Sequence, residues 1–282
     1  MDGPIILARS LTEASRPDRY GNTWQYHSRS DRHSKIACWV VLYDLLQQCQ
    51  TLRGQAAAGR VVIGVNQEMR DFHSGRKKDL DLVVARPAGG EDRPPGASLH
   101  DLADRWGVVL TDQERARLDN LPSIAEGPTG SVLVALEAKA TMTAHIKALP
   151  RLYDELNSSH LTVHGAIESA LAVGYVLINA SSDFVSSEIN KWPLTERTTV
   201  SSHNQPMWTR RTVEKVTELP RRSTNRGVGF DAIGISVIEI RNDGSPVTVV
   251  DAPPAPDARN DFHYDQMVLR IAQQYTAAFP NL

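Results

Sequence analysis

Cysteine is scarce: Cys38 and Cys49 are the only two in 282 residues, and no CxxC pair occurs. Both fall in a segment that reads as helix, where their separation spans roughly 16 Å at about 1.5 Å per residue, beyond disulfide reach. The nine histidines are scattered. A disulfide scaffold and a structural zinc site are therefore not indicated, and a reducing cytoplasm is the expected location. Long apolar runs are also missing, and the opening MDGPIILARSLTEASRPDRYGN lacks the basic start and extended apolar stretch of a signal peptide. Neither export nor membrane insertion is expected. Net charge is small, −2 with 23% charged residues, so nothing pulls the whole chain toward nucleic acid. Any phosphate binding must use locally basic surfaces. No internal repeat or low-complexity tract is present.

What is there is the patterning of one large domain or two small ones, with 41% hydrophobic residues to build a core. Ser34 to Gln50 is apolar nearly all round without Gly or Pro, which predicts a buried helix. Val61 to Val65 is a β-branched run followed by Asn66, as in a core strand. Lys77 to Ala85 (KKDLDLVVA) alternates charged and apolar before becoming wholly apolar, a second strand entering the core from a wet end. Arg86 to Gly96 is dense in Pro and Gly and leads into two short helices between Ser98 and Leu118. The second opens with Thr111 and Glu114 at capping-box spacing. Ser131 to Ala138 is a third strand, apolar until Glu137 and followed by Lys139. Leu149, Leu152, Tyr153 and Leu156 form a helical stripe with Pro150 near its start, and Val173 to Ala180 supplies a fourth strand. Beyond lie a basic helix near Arg210 to Glu218, a strand at Phe230 to Ile240 and an amphipathic helix from Tyr264 to Phe279.

Two strand-end carboxylates and a lysine suit phosphodiester hydrolysis. A divalent metal can neutralise the scissile phosphate and generate hydroxide near neutral pH, and magnesium needs only one or two carboxylates beside water and substrate oxygens. A lysine two residues after the glutamate shares its strand face and can orient the attacking water. Asp79-Leu-Asp81-Leu-Val-Val, followed about fifty residues later by Leu136-Glu137-Ala-Lys139, resembles the motif of the PD-(D/E)xK nuclease superfamily, over roughly Ser34 to Ala180 and including the helix-strand-strand-strand-helix-strand order. The Pro that often precedes the Asp is absent, and the insertion before Glu137 is long.

The resemblance implies an α/β, restriction-endonuclease-like core: a central mixed sheet flanked by helices, with a C-terminal α/β extension. The expected layout is an N-terminal polar segment over 1–33, a nuclease core over 34–180 with an insertion over 86–130, and an extension over 181–282 packed on the core. It further implies Asp81, Glu137 and Lys139 as catalytic residues, Asp81 and Glu137 as ligands of Mg²⁺, for which Mn²⁺ can substitute, and cleavage of DNA, double-stranded by preference. A use in restriction or defence against foreign DNA follows, with a homodimer or a defence-system component as partner. A repair or junction-resolving nuclease and a non-catalytic nucleic-acid-binding protein are the alternatives.

Accessory candidates are Asp79, His145 and Lys147, and also Asp31, His33 and Lys35 at the start of the first helix, where capping by Asp31 is the plain alternative. Candidate DNA contacts are Arg76, Lys77 and Lys78 ahead of the Asp strand. A second set, Arg210, Arg211, Lys215, Arg221, Arg222 and Arg226, lies near Trp208, which can stack on a base. A salt bridge between Glu137 and Lys139 at a sheet edge, with Asp79 and Asp81 on a solvated strand end, is the structural alternative to chemistry. His160 and His164 have an HxxxH spacing but no third ligand motif.

Overall fold

The computed structural model describes residues 1–15, 17–72, 74–89, 96–224 and 227–282. Helix α1 (Gly3–Thr12) starts with Pro4 in its first turn, where a missing N–H costs no hydrogen bond. The first 33 residues are thus not simply polar: Ile6, Leu7 and Leu11 are buried in the core. Helix α2 (Arg32–Gln48) is buried without interruption from Ser34 to Leu46, as its all-round apolar sequence predicts. It stops two residues before the expected Gln50, because Cys49 turns extended and its Sγ accepts from Leu52 N to start α3 (Gln50–Ala57).

Strands β1 (Val62–Arg70) and β2 (Lys77–Pro87) follow, each longer than its apolar stretch. The excursion carries α4 (Leu99–Trp106) and α5 (Asp112–Asp119), each opened by a complete capping box, Ser98 with Asp101 and Thr111 with Glu114. Gly107, in the left-handed region at φ 68°, ends α4 as a side-chain-free residue can. Strand β3 (Thr129–Thr141) runs straight past Glu137 and Lys139, and α6 (His145–Ala166) contains Pro150 in its first two turns. Strand β4 (Leu171–Asn179), the short pair β5 (Asp183–Phe184) and β6 (Ser201–Ser202), α7 (Met207–Thr217), β7 (Ala232–Glu239), β8 (Thr248–Val250) and α8 (Tyr264–Ala278) complete the chain.

The fold is α/β. A six-stranded mixed sheet has the order β1-β2-β3-β4-β7-β8. Strands β1, β2 and β3 form an antiparallel meander, β4 joins β3 in parallel through α6, β7 joins β4 in parallel, and β8 closes the edge antiparallel. The C-terminal hundred residues are therefore built into the same sheet. Two core clusters lie on its two faces: one holds α1, α2 and α8, the other Leu152, Leu156 and Val163 of α6 with Val216 of α7. Strand β4 alternates cleanly between them, Leu171, Val173 and Tyr175 to the first and Ala172 and Val176 to the second. Among the described residues, no helix is long and apolar enough to cross a membrane.

Candidate active site

The alternation of β1 and β2 breaks at one place. Val65 and Leu82 pack on the α2 side, yet Met69 and Leu80 pack on the α6 side, so both strands change faces between these residues. The ladder shows the same fault. Val65 pairs with Leu82 and Gln67 with Leu80, while the step between them, Asn66 opposite Asp81, is not paired, and Asn66 stands at φ 49°. Asn is one of the few side chains that accept that backbone region readily. The β2–β3 ladder ends here too, its last pair in this direction being Leu82 with Leu136. One residue further the two strands part, with Asp81 on one and Glu137 on the other.

The side chains at this fork form one connected group. Asp81 Oδ2 accepts from the backbone N–H of Ala138 at 3.0 Å, which fixes its carboxylate against the peptide that follows Glu137. On the other side Lys35 of α2 donates to the Asp81 carbonyl at 3.1 Å and to Asn66 Oδ1, and its Nζ lies 3.7 Å from Asp81 Oδ1. Glu137 is 3% exposed. Its Oε1 receives both Lys139 Nζ at 2.8 Å and Lys78 Nζ at 3.3 Å. Lys78 is anchored on α6 by Ser159 Oγ at 2.5 Å and the Glu155 carbonyl at 2.7 Å, and Lys139 reaches Glu155 Oε2 at 3.7 Å. Arg151 holds the other oxygen of Glu155 at 2.6 Å.

The two lysines on Glu137 differ. Burial disfavours both ammoniums, but for Lys139 the carboxylates of Glu137, Asp81 and Glu155 outweigh it and raise the pKa above the ordinary lysine value. For Lys78 burial prevails over the pull of Glu137, with repulsion from Lys139 added, and the pKa falls. Lys139 is therefore a fixed positive charge at neutral pH.

The second oxygen of Glu137, Oε2, is buried and has no hydrogen-bond partner among the described residues. A buried carboxylate oxygen left bare costs on the order of 1–3 kcal/mol or more, which fits an atom reserved for a ligand. Magnesium would suit it, since that ion takes one or two carboxylates and keeps several waters. Asp81 and Glu137 are the two carboxylates on facing strands at the fork. The described residues contain no group of three or more His, Cys, Asp or Glu able to hold a metal on their own, so the remaining ligands would be water and substrate oxygens.

The other expected residues fall elsewhere. Asp79 is exposed and pairs across the ladder with Glu68, away from the fork. His145 is buried, with Nε2 on the Asn179 carbonyl at 2.7 Å, and burial lowers its pKa to about 4. Asp31 makes no side-chain cap on α2, and burial takes the His33 pKa down to about 4. Arg76 and Lys77 are exposed, further along the strand from the fork than Asp79, and Lys77 is paired with Glu68. Lys78, expected at a DNA backbone, is instead drawn to Glu137. Arg210, Arg211 and Arg221 are exposed, and Lys215 pairs with Glu218 at 2.6 Å. Arg222 is buried in an ion pair with Asp231 at 2.8 Å and has no surface to offer a phosphate; Arg226 lies outside the described residues. Through Nε2, His160 bonds Asn157 and His164 bonds Asp231, and no group of three or more metal-ligating side chains includes the HxxxH pair among the described residues.

Lys35, an accessory candidate of the sequence, holds Asp81 here, whereas Asn66 and Glu155 are members of the group to which the sequence gave no role. Asn66, directly after an apolar run, was the one local signal. Comparison with family models, curated proteins and solved structures found no match.

Proposed function

We propose that the chain is a metal-dependent nuclease of the PD-(D/E)xK type, hydrolysing DNA phosphodiesters at the Asp81–Glu137 fork, and that it serves in restriction of foreign DNA. The observation that carries the reading is the bare, buried Glu137 Oε2 beside Asp81 and Lys139. It is supported by the order of the elements around it, a helix, an antiparallel meander and a crossover helix to a parallel fourth strand.

A bound divalent ion would supply charge neutralisation at the phosphate and a water of lowered pKa. The chain's own groups do the rest. Glu137 offers its bare Oε2, and Asp81 on the facing strand offers a carboxylate oriented by the Ala138 N–H and Lys35. Lys139, kept protonated by its carboxylate neighbours, donates to the attacking water or to the charge that grows on the phosphorus oxygens. Glu155 positions Lys139 from α6, and Lys35 holds Asp81 by its carbonyl and carboxylate. Attack by water oxygen on phosphorus would break the bond to a deoxyribose oxygen, which takes up a proton as a hydroxyl, and leave a phosphomonoester on the other strand end.

One observation favours a second reading. Lys35, Lys78 and Lys139 balance Asp81, Glu137 and Glu155 without any metal, as in a nucleic-acid-binding protein that has kept the fold alone. Supercoiled plasmid incubated with magnesium, with EDTA, and with the Asp81→Asn and Lys139→Ala variants separates the two. The nuclease reading expects magnesium-dependent cutting that falls at least about 100-fold in both variants. Cutting in EDTA, or at full rate in the variants, removes the proposed site.

A further inference from the structure

Beyond the carboxyl end of β3 lies a cavity of about 480 Å³ that the cleavage chemistry does not use. Four groups in its wall have complementary chemistry. Helix α6 begins here after Ala144, which provides no side-chain cap to the positive end of this 22-residue helix, and Ala144, Ile146 and Lys147 line the cavity. Lys147 of that turn and Arg211 of α7 line the same space. Both are exposed, and neither has an ion-pair or hydrogen-bond partner among the described residues. Ser201, Ser202 and Trp208 complete the polar and aromatic part of the lining.

A separate observation points to a ligand. His203 also lines the cavity, is 7% exposed, and its buried Nε2 has no partner among the described residues. Its Nδ1 faces the Ser181 carbonyl at 3.0 Å and must donate to it, which leaves the Nε2 lone pair free to accept. Burial lowers the His203 pKa, so the imidazole is neutral near pH 7. The ring is held by His145 at 4.8 Å and Trp208 at 5.7 Å between centroids. The nearby carboxylate, Asp183, faces Ser182 and Ser202 on the β5–β6 side. That leaves the Lys147–Arg211 side for an anion.

An anion-binding helix end with two unpaired cations, an aromatic face, and a buried acceptor that wants an N–H or O–H together describe a nucleotide: phosphate, base, and a donor on base or sugar. We infer that this cavity binds a 5′-phosphorylated nucleotide, its phosphate at the α6 N-terminus between Lys147 and Arg211 and its base against Trp208 within reach of His203 Nε2. The nucleotide comes either free or as the 5′-phosphorylated end of a strand. Thr143, at the cavity wall, is within about 14 Å of Lys139 by chain length alone, so a strand end seated here would lie close to the fork. The inference does not depend on cleavage, because binding is measured without metal.

The test is isothermal titration in EDTA with deoxyadenosine 5′-monophosphate, deoxyadenosine, inorganic phosphate, and a short oligonucleotide with and without its 5′-phosphate. The nucleotide should bind one to one, each half-molecule at least about tenfold more weakly, and Lys147→Ala or Arg211→Ala should weaken it about tenfold while Trp208→Phe keeps it. Tighter binding of the phosphorylated oligonucleotide than of the mononucleotide, lost with its 5′-phosphate, identifies the strand end as the source; the opposite order identifies the free nucleotide. The inference is overturned if neither phosphorylated probe binds at millimolar concentration, if phosphate alone binds as well as the nucleotide, or if Lys147→Ala and Arg211→Ala leave affinity unchanged. Both substitutions are at the exposed surface, so the fold survives them.

Discussion

Asp231 and Glu137 are buried carboxylates on the same sheet, and the chain surrounds them in opposite ways. Asp231, at the entry to β7, takes Arg222 Nε at 2.8 Å, His164 Nε2 at 3.3 Å and the Ala172 N–H at 2.8 Å, while Arg222 spends its other donors on the carbonyls of Glu168 and Ala170. A planar guanidinium locked by several bonds has one geometry, and the carboxylate facing it has no oxygen to spare. Glu137 is held through one oxygen by two flexible ammoniums and keeps the other bare. The first arrangement joins strands and helices; the second leaves a place for something else. Burial and charge alone did not separate these two carboxylates, but the count of satisfied oxygens does.

The largest expected effect sharpens this contrast from the structural side. Arg222→Ala leaves Asp231 charged and unpaired in the core and should lower unfolding stability by about 3–5 kcal/mol in urea melts. A loss under 1 kcal/mol would mean that the pair is not structural. Next is Lys78→Met at the fork. Lys139 still holds Glu137 in this variant, so the protein should fold and cleavage should fall about tenfold, a fraction of the loss expected from removing Lys139. Equal losses for both lysines would break the assignment of distinct roles.

Acid should act on the Asp231 region in a defined direction. Burial works against its charge, yet His164, Arg222 and the Ala172 N–H prevail and hold its pKa below 3.8. A lowered carboxylate pKa contributes stability that is present above the unfolded value and lost as pH falls through the folded one. The stability difference between the native chain and Asp231→Asn should therefore be constant above about pH 5 and shrink below about pH 4, measured by urea melts across that range. The smallest effect belongs to the exposed basic helix. Arg210→Ala should change stability by under about 0.5 kcal/mol and reduce the slope of log affinity for DNA against log salt by about 1.

The sequence revealed elements whose signal is local. The all-round apolar α2, the capping box of α5, the strand bearing Glu137 and Lys139, and the stripe of α6 all fall where local pattern puts them. Helix α1 was hidden because its apolar run, Ile5 to Ala8, is short and heads a segment otherwise rich in Ser, Arg and Asp. At the fork, simple alternation puts Lys78 on the face opposite Asp81. The face change at Asn66 and Asp81 brings Lys78 to Glu137 instead, and that depends on how two strands fault together. Glu155 and Lys35 reach the site from helices distant in sequence, and Arg222 looked like one more basic residue until Asp231, nine positions on, folded back against it. Trp208, Lys147 and Arg211 were legible only as separate candidates; their shared cavity is a product of tertiary structure.

The proposed site is tested most directly by one variant measured twice, Glu137→Gln, for the urea midpoint and for the initial rate of plasmid cleavage in magnesium. The account predicts a folded protein, with stability changed by less than about 1 kcal/mol because both lysines keep other partners, and a cleavage rate reduced at least about 100-fold. A folded Glu137→Gln protein that cuts at the native rate would contradict it.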